Sequence, residues 1–323
     1  MASRTGSEFP KGLDVYWTPS TAGSLPVRGG QRGQESFNWR DQRLGCGNPA
    51  CTRGWLRLLK DRRRPVFEHQ WGCSSECIEA LVSVAVRREF GDGSLIDEER
   101  EHRHRIPLGL VMLSQGWITH PQLQRALMAQ KRAGRGRIGS WLVAECGLKE
   151  ELVTRALSLQ WSCPVLSVDG FDPGAMALLA PRMLVERLGM VPLRIAGDRI
   201  LYLAFEDRLD ASAALALERM SGLKVESGLA DGLQLKYARQ RLYRSDFFVP
   251  ARYEQVADME SLTRKMAFSL GKLQPRSSQL VRIHQFYWLR MWLETGAMST
   301  RDGGVPVSRE DVVDRVYSVG FEQ

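Results

Sequence analysis

Four cysteines in the N-terminal third of the chain stand in two close pairs. Cys46 and Cys51 are separated by four residues, Cys73 and Cys77 by three, and all four fall within 32 residues. Four thiolates can close the tetrahedral shell of a zinc ion. The sequence therefore predicts a zinc site with these four cysteines as ligands. Four buried free cysteines are the alternative, and His69 could replace one ligand.

The residues around the two pairs indicate a small module that needs a metal for its stability. The segment between the pairs contains WLRLLKDRRRPVFEHQW, which Asp61–Pro65 break into two short runs, so we expect a β-hairpin there. After Cys77, the run IEALVSVAVRREF has helical spacing, and we expect this helix to end before Gly91. A knuckle, a hairpin, a second cysteine pair and a helix, in this order, predict a treble-clef zinc finger over residues 41–90.

Two stretches of 24 residues further along are the same sequence written twice, with six residues between them. They are PLGLVMLSQGWITHPQLQRALMAQ, residues 107–130, and RIGSWLVAECGLKEELVTRALSLQ, residues 137–160. In the first copy we expect a helix over Leu108–Ser114 that Gly116 ends, and a second helix capped by Thr119 with Gln122. The second copy repeats the pattern. Residues 105–160 are therefore predicted to form two helix-turn-helix units, a small helical bundle around a pseudo-twofold site.

The remaining segments complete a predicted α+β fold. Residues 1–40 lack an apolar period and are expected to be a disordered arm, and residues 91–104 a polar linker. Residues 161–245 indicate a small β-α-β-β-α-β-α domain, with one helix from Asp172-Pro173 to Gly189 and a hairpin turn at Gly197-Asp198. Residues 246–323 are predicted to be a helical tail, in which LVRIHQFYWLRMWLET is an aromatic helix, and Ser308 caps a final helix.

The segment from Arg105 to about Tyr243 resembles the N-terminal domain of type II secretion and type IV pilus assembly ATPases. This is the MshE-type N-terminal domain, a cyclic di-GMP receptor module. The resemblance rests on the motif R-L-G, with its spaced apolar residues and final L-x-x-Q, written twice. It rests also on FDPGAMALLAPRMLVERLGMVPLRIAGDRILYLAFEDRLD. In front of it, WGCSSECIEALV resembles the second half of TRASH and MYM-type zinc fingers.

The first resemblance implies that the two copies wrap one cyclic dinucleotide, and that each copy contacts one guanylate half. Apolar side chains would cover the purines and riboses, the glycines would admit the phosphates, and the arginines and glutamines would bond base or backbone. Asp207 would accept from guanine N1 and N2. The implied ligand-binding residues are Arg105, Leu108, Gly109, Met112, Leu113, Leu123, Leu127, Gln130, Arg137, Ile138, Gly139, Leu142, Val143, Val153, Leu157, Gln160 and Asp207.

The repeat departs from the family pattern at two positions. In the first copy, Pro107 stands where the family has Arg, and Arg105 lies two residues earlier. In the second copy, Cys146 occupies the family's glycine position. These departures favour an alternative, in which the repeated positions only pack the bundle and the chain is a ligand-free scaffold that docks onto another protein.

The net charge, and the motifs that the sequence lacks, limit the functions to be considered. The chain of 323 residues has a net charge of +8. Its basic finger, with Arg53, Arg57, Lys60 and Arg62–Arg64, could therefore bind nucleic acid. No apolar run of 18 residues and no signal sequence are present, so we expect a cytoplasmic protein without a membrane span. No P-loop, nucleophile elbow or H-E-x-x-H occurs in the sequence, so we expect no enzyme. We expect a stand-alone cyclic di-GMP receptor that contacts a protein partner through the finger or the aromatic tail helix.

Overall fold

A computed structural model describes residues 46–52, 64–92, 105–246, 251–293 and 304–320. The predicted arm, most of the predicted linker and the basic residues 53–63 lie outside the described residues. The described residues form both helices and strands, which confirms the predicted α+β class. The helices are α1 Ser75–Asp92, α2 Leu108–Ser114, α3 His120–Ala133, α4 Ile138–Cys146, α5 Glu150–Trp161, α6 Pro173–Ala177, α7 Arg182–Leu188, α8 Ala211–Ser221, α9 Gly232–Tyr243 and α10 Met259–Leu273. The strands are β1 Val66–Phe67, β2 Gln70–Trp71, β3 Val191–Ala196, β4 Ile200–Phe205, β5 Lys224–Leu229, β6 Ala251–Val256, β7 Ser277–Ile283, β8 Phe286–Trp292 and β9 Val312–Val319.

The repeat folds as two helix pairs, α2–α3 and α4–α5. Thr119 caps α3 in a reciprocal capping box with Gln122, and this bond pattern satisfies amide groups that a helix start leaves open. Gln130 donates through Nε2 to the carbonyl of Gly136 at 2.8 Å, and Gln160 donates to the carbonyl of Ile106 at 2.7 Å. Both donors and both acceptors are 30 positions apart in the sequence. The two copies therefore hold each other's first helix in a reciprocal way, as a pseudo-twofold arrangement requires.

Residues 161–245 surround a three-stranded sheet in the order β3-β4-β5. Strands β3 and β4 are antiparallel, β5 runs parallel to β4, and Val165 forms an isolated bridge with Leu229. The single helix predicted between Asp172 and Gly189 is wrong, because the structure has two short helices, α6 and α7, on either side of Pro181. A proline disfavours helical backbone at the residue before it, which interrupts the helix.

The predicted helical tail over 246–323 is also wrong. The segment forms a four-stranded sheet in the order β6-β9-β8-β7, with helix α10 between β6 and β7. The aromatic segment is the hairpin β7–β8, in which every residue of β8 is buried. Ser308 caps only a 3₁₀ turn, Arg309–Asp311, before β9 begins. A strand covered on both faces has no alternation of apolar and polar residues, so its sequence resembles that of a buried helix.

Both faces of this sheet are covered by other parts of the chain. Val281, Trp288 and Val316 pack into the core of the 161–245 segment. Leu280 and Leu289 pack on the other side, with residues of α1 and α10. The finger and the C-terminal segment, predicted as separate modules, therefore share one hydrophobic core.

Candidate functional site

The four predicted metal ligands lie together. The Sγ atoms of Cys46, Cys51, Cys73 and Cys77 are all within 4.8 Å of one another. The Cys51–Cys73 and Cys73–Cys77 sulfur distances are 3.4 and 3.7 Å. Zinc–sulfur bonds of about 2.3 Å in a tetrahedron place the sulfurs about 3.8 Å apart, so the donor set fits a zinc ion.

Short local contacts position these thiols. The backbone amide of Cys73 donates to Cys46 Sγ at 3.4 Å, and Asn48 Nδ2 donates to Cys77 Sγ at 3.4 Å. Burial raises the pKa of Cys73 to about 12. Burial acts in the same direction on Cys77, but hydrogen bonds with Ser74 and Asn48 outweigh it and lower the pKa of Cys77 to about 6. These hydrogen bonds favour the thiolate of Cys77, which is the form that binds metal.

Among the described residues between the pairs, a hairpin turns at Glu68-His69, whereas most of the predicted break at Asp61–Pro65 and the run before it lie outside the described residues. Both turn residues have positive φ, 45° and 67°. Two-residue hairpin loops of this kind match the twist of their strands, although Gly and Asn adopt them more easily. His69 is exposed in the turn, and the cluster among the described residues consists of the four cysteines alone.

A second candidate site is a cavity of about 500 Å³ between the second repeat copy and the α+β half. Eight residues implied by the family resemblance line it: Leu108, Arg137, Ile138, Gly139, Val143, Val153, Leu157 and Asp207. Seven of these come from the second copy or from the α+β half, and the first copy contributes Leu108. The cavity is therefore built on one copy of the repeat.

Charged groups of both signs face this cavity. Arg137 and Asp207 form an ion pair. Glu150, at the start of α5, and Glu206, next to Asp207, bring two more carboxylates; a Cβ atom on Gly232 would lie 3.6 and 3.7 Å from their oxygens. Lys236 on α9 adds a second cation. The cavity thus offers carboxylate acceptors and cationic donors above apolar walls.

Several residues that line the cavity were not among the ligand residues implied by the family resemblance. These are Ser140, Glu150, Thr154, Glu206, Gly232, Leu233 and Lys236. Glu206 is adjacent in the sequence to Asp207, so the resemblance that implied Asp207 could also have indicated Glu206. Lys236 and Leu233 reach the cavity because α9 packs beside the repeat, which the sequence does not indicate.

A smaller cleft of about 390 Å³ adjoins the cavity and shares Arg137, Glu206 and Asp207 with it. Three further arginines line this cleft: Arg187, Arg208 and Arg239. Within the described residues, Nε of Arg239 is buried and has no hydrogen-bond partner. Guanidinium groups bind phosphates well, because their planar donors match the phosphate oxygens.

The other implied ligand residues do not line the cavity, and most of them make contacts within the bundle. Met112 and Leu142 are fully buried in the core of the bundle and are closed to a ligand. The two glutamines bond backbone carbonyls, as described above. Arg105 stacks on Trp161 at 3.7 Å and donates to the carbonyl of Gln160 at 3.1 Å. Leu127 is 47% exposed.

The two glycines of the repeat permit helices to pack closely. A Cβ atom on Gly109 would lie 2.6 Å from Leu123 Cδ1, and one on Gly139 would lie 2.7 Å from Val153 Cγ1. Each glycine therefore faces the second helix of its own copy. Gly109, Leu113, Leu123 and Gln130 do not line the cavity.

Comparisons with known proteins agree with the resemblance seen in the sequence. A solved structure of MshE with cyclic di-GMP is 32% identical, covers 43% of this chain and all of that chain, and has a TM-score of 0.36. The type IV pilus assembly ATPase PilB of Myxococcus xanthus is 28% identical over 138 residues, and bacteriophage adsorption protein B of Escherichia coli is 28% identical over 142 residues. No family model matches the chain.

The sequence identity over the whole of the MshE chain defines the class of protein. This chain contains an MshE-type N-terminal domain, of the kind found in type II secretion and type IV pilus ATPases. It spans 24% of the length of the PilB relative and 19% of the adsorption protein. Among the described helices, none has the length and apolar character needed to cross a membrane.

Proposed function

We propose that this chain is a non-catalytic cytoplasmic receptor for cyclic di-GMP, with the ligand in the cavity between the second repeat copy and the α+β half. The observation that carries the proposal is the convergence there of eight residues that the family resemblance implies for this ligand. Its volume of about 500 Å³ lies within the usual range of small-molecule sites.

The chemistry of the cavity suits a guanylate. Ile138, Val143 and Leu157 supply apolar walls for a purine. Asp207 can accept from guanine N1 and N2, while Arg137 can donate to O6 and N7. The arginines of the adjoining cleft suit the phosphates. A guanine bound to both Asp207 and Arg137 competes with the ion pair between these residues. Binding therefore replaces this ion pair with one contact from each residue to the base.

Isothermal titration of the purified full chain tests the proposal. We expect heat from cyclic di-GMP, and an affinity at least about tenfold lower in Arg137→Ala, which removes the donor to the base. Arg135→Ala is the matched control, because Arg135 is an exposed arginine two positions earlier that does not line the cavity. An absence of heat from the unmodified chain at about 50 μM ligand would refute the proposal.

We also propose that the four cysteines hold a structural zinc ion. Closure of the shell by four protein ligands leaves no open position, which is typical of structural sites. Elemental analysis of protein purified without added metal is expected to give one zinc per chain. Less than about 0.2 zinc per chain after purification and after zinc titration would refute a zinc site.

A ligand-free docking scaffold is the second candidate, and the Pro107 departure favours it. Pro107 lies at the N-cap of α2, as Arg137 does at the N-cap of α4, so Pro107→Arg restores the family pattern at an exposed position. Binding of cyclic di-GMP by Pro107→Arg alone would identify the natural chain as a scaffold. A protein partner would then use the finger. The predicted aromatic interface is wrong, because Trp288 and Trp292 are buried in the sheet.

Nucleic-acid binding by the basic finger stays a prediction, because residues 53–63 lie outside the described residues. A gel shift at low salt, where phosphate contacts are strongest, tests it.

A further inference from the structure

We infer that the site recognises only one of the two bases of a cyclic dinucleotide: a guanine at the second repeat copy. The inference rests on the proposed function, since it concerns the same cavity and the same class of ligand. It differs from a symmetric arrangement, in which two equivalent half-sites each select a guanine.

The asymmetry follows from which copy lines the cavity. Ser140, Val143, Glu150, Val153 and Leu157 face the cavity from the second copy. Their counterparts 30 positions earlier do not line it, and these are Leu110, Leu113, His120, Leu123 and Leu127. A ligand in the cavity therefore has one half among the second-copy residues, and its other half has no equivalent enclosure.

A site that selects guanine needs hydrogen-bond acceptors. In this cavity the acceptors come from the second repeat copy and the α+β half. Guanine presents donors at N1 and N2, whereas adenine has an acceptor at N1 and no donor at C2. Glu150, Glu206 and Asp207 place three carboxylates around the cavity. They can accept the guanine donors, and they would face the N1 lone pair of adenine unfavourably.

The first copy has no comparable group. His120 replaces Glu150, and Pro107 replaces Arg137, so neither the carboxylate nor the guanidinium is repeated. Gln130, the remaining polar residue of the motif, already donates to a backbone carbonyl at 2.8 Å. Leu110 and Leu127 are 52% and 47% exposed and offer apolar contact, which does not distinguish guanine from adenine.

Titration of the full chain with three cyclic dinucleotides of identical linkage tests the inference. Cyclic di-GMP and the mixed 3′,3′-cyclic GMP-AMP are expected to bind within about threefold of each other, because both present one guanine. Cyclic di-AMP is expected to bind at least about tenfold more weakly. If the mixed ligand binds more than about tenfold more weakly than cyclic di-GMP, both bases are recognised and the inference is wrong, although the proposed function stands. If none of the three binds, the proposed function fails and the inference fails with it.

A matched pair of variants locates the selective half. Glu150→Gln keeps the size of the side chain but replaces one acceptor oxygen with a donor. We expect it to reduce the preference for cyclic di-GMP over cyclic di-AMP by at least about fivefold. His120→Gln alters the corresponding position of the first copy and is expected to leave that preference unchanged. An equal loss of preference in both variants, with thermal unfolding confirming that both fold, would show that both copies select the base and would overturn the inference.

Discussion

The buried ion pair between Arg290 and Asp314 gives the sharpest test of the C-terminal sheet. Both side chains are completely inaccessible to solvent, and Arg290 Nη2 lies 2.9 Å from Asp314 Oδ2. Asp314 Oδ1 also accepts from Arg290 Nε at 2.9 Å and from Trp288 Nε1 at 2.8 Å. Arg290 then donates to the carbonyls of Leu178 and Leu179, at 3.1 and 3.0 Å, which join the sheet to the loop after α6.

Replacement of Asp314 by Asn should destabilise the protein strongly. Asn has nearly the same volume as Asp, so the substitution creates no cavity. It does leave the Arg290 charge buried without its counter-charge. Breaking a buried pair in this way costs about 3–5 kcal/mol. In a chain of this length about 1 kcal/mol corresponds to roughly 2 °C in Tm, so we expect Tm to fall by about 6–10 °C.

Scanning calorimetry, with urea unfolding followed by tryptophan fluorescence, measures this loss. Glu186→Gln is the control, since it removes the exposed Arg182–Glu186 pair, whose side chains are 53% and 42% accessible. An exposed pair of this kind contributes less than about 0.5 kcal/mol. If Asp314→Asn costs no more than this control, the pair is solvated and does not hold the sheet to the loop after α6.

Three further changes test other parts of the structure. Cys73→Ser should lower the zinc content and reduce Tm by at least about 4 °C, measured by elemental analysis and calorimetry, and an unchanged Tm would contradict a structural metal. In urea unfolding, Gly139→Ala should destabilise the protein by about 1 kcal/mol more than Gly109→Ala. The new Cβ at position 139 meets the stiff side chain of Val153, whereas the one at position 109 meets Leu123, whose side chain can rotate away. Glu89→Gln should cost about 1–3 kcal/mol in the same assay, because a 2% exposed carboxylate bonds two arginines and a backbone amide there, and a smaller loss would show that these bonds are replaced by water.

The parts of the fold that follow from local chemistry could be predicted from the sequence. The capping box of Thr119 and Gln122 fixes the start of α3, and Gly189 ends α7 in the left-handed conformation that favours glycine. Helix α9, Gly232–Tyr243, is the last helix of the β-α-β-β-α-β-α order predicted for residues 161–245. These signals need only residues within one turn of the element, so no knowledge of the tertiary structure is required.

The hairpin β7–β8 could not be predicted in this way, for two physical reasons. Its turn has His284 in the left-handed region, with φ of 53°, and carries none of the Asn-Gly or Asp-Gly pairs that announce a hairpin. Its strands are apolar on both faces because α1 covers one of them, and α1 lies about 200 residues earlier in the chain. The secondary structure of this segment therefore depends on a partner that only the fold supplies.

The cavity depends on distant contacts in the same way, which explains why the motif alone does not show which of its positions line the cavity. The apolar repeat positions serve two purposes that look identical in a sequence. Met112 and Leu142 hold the bundle together, whereas Val143 and Leu157 face the cavity. The difference is set by where α9 and the β4–α8 loop pack, because these elements bring Lys236 and Glu206 to one copy of the repeat and not to the other.

One buried carboxylate connects the helix that follows the cysteine cluster with the α+β half and the C-terminal sheet. Glu89, on α1, accepts from Arg219 of α8 at 2.7 Å and from the backbone amide of Arg282 on β7 at 3.0 Å. Helix α1 begins between Cys73 and Cys77, so its first turn carries Cys77, and Glu89 near its end contacts the α+β half. The Glu89 contacts thus join the helix that carries Cys77 to α8, which follows the loop that holds Asp207. Helix α1 also packs in one hydrophobic core with the C-terminal sheet and α10, so the cysteine cluster is attached to a helix that contacts both other parts of the described fold.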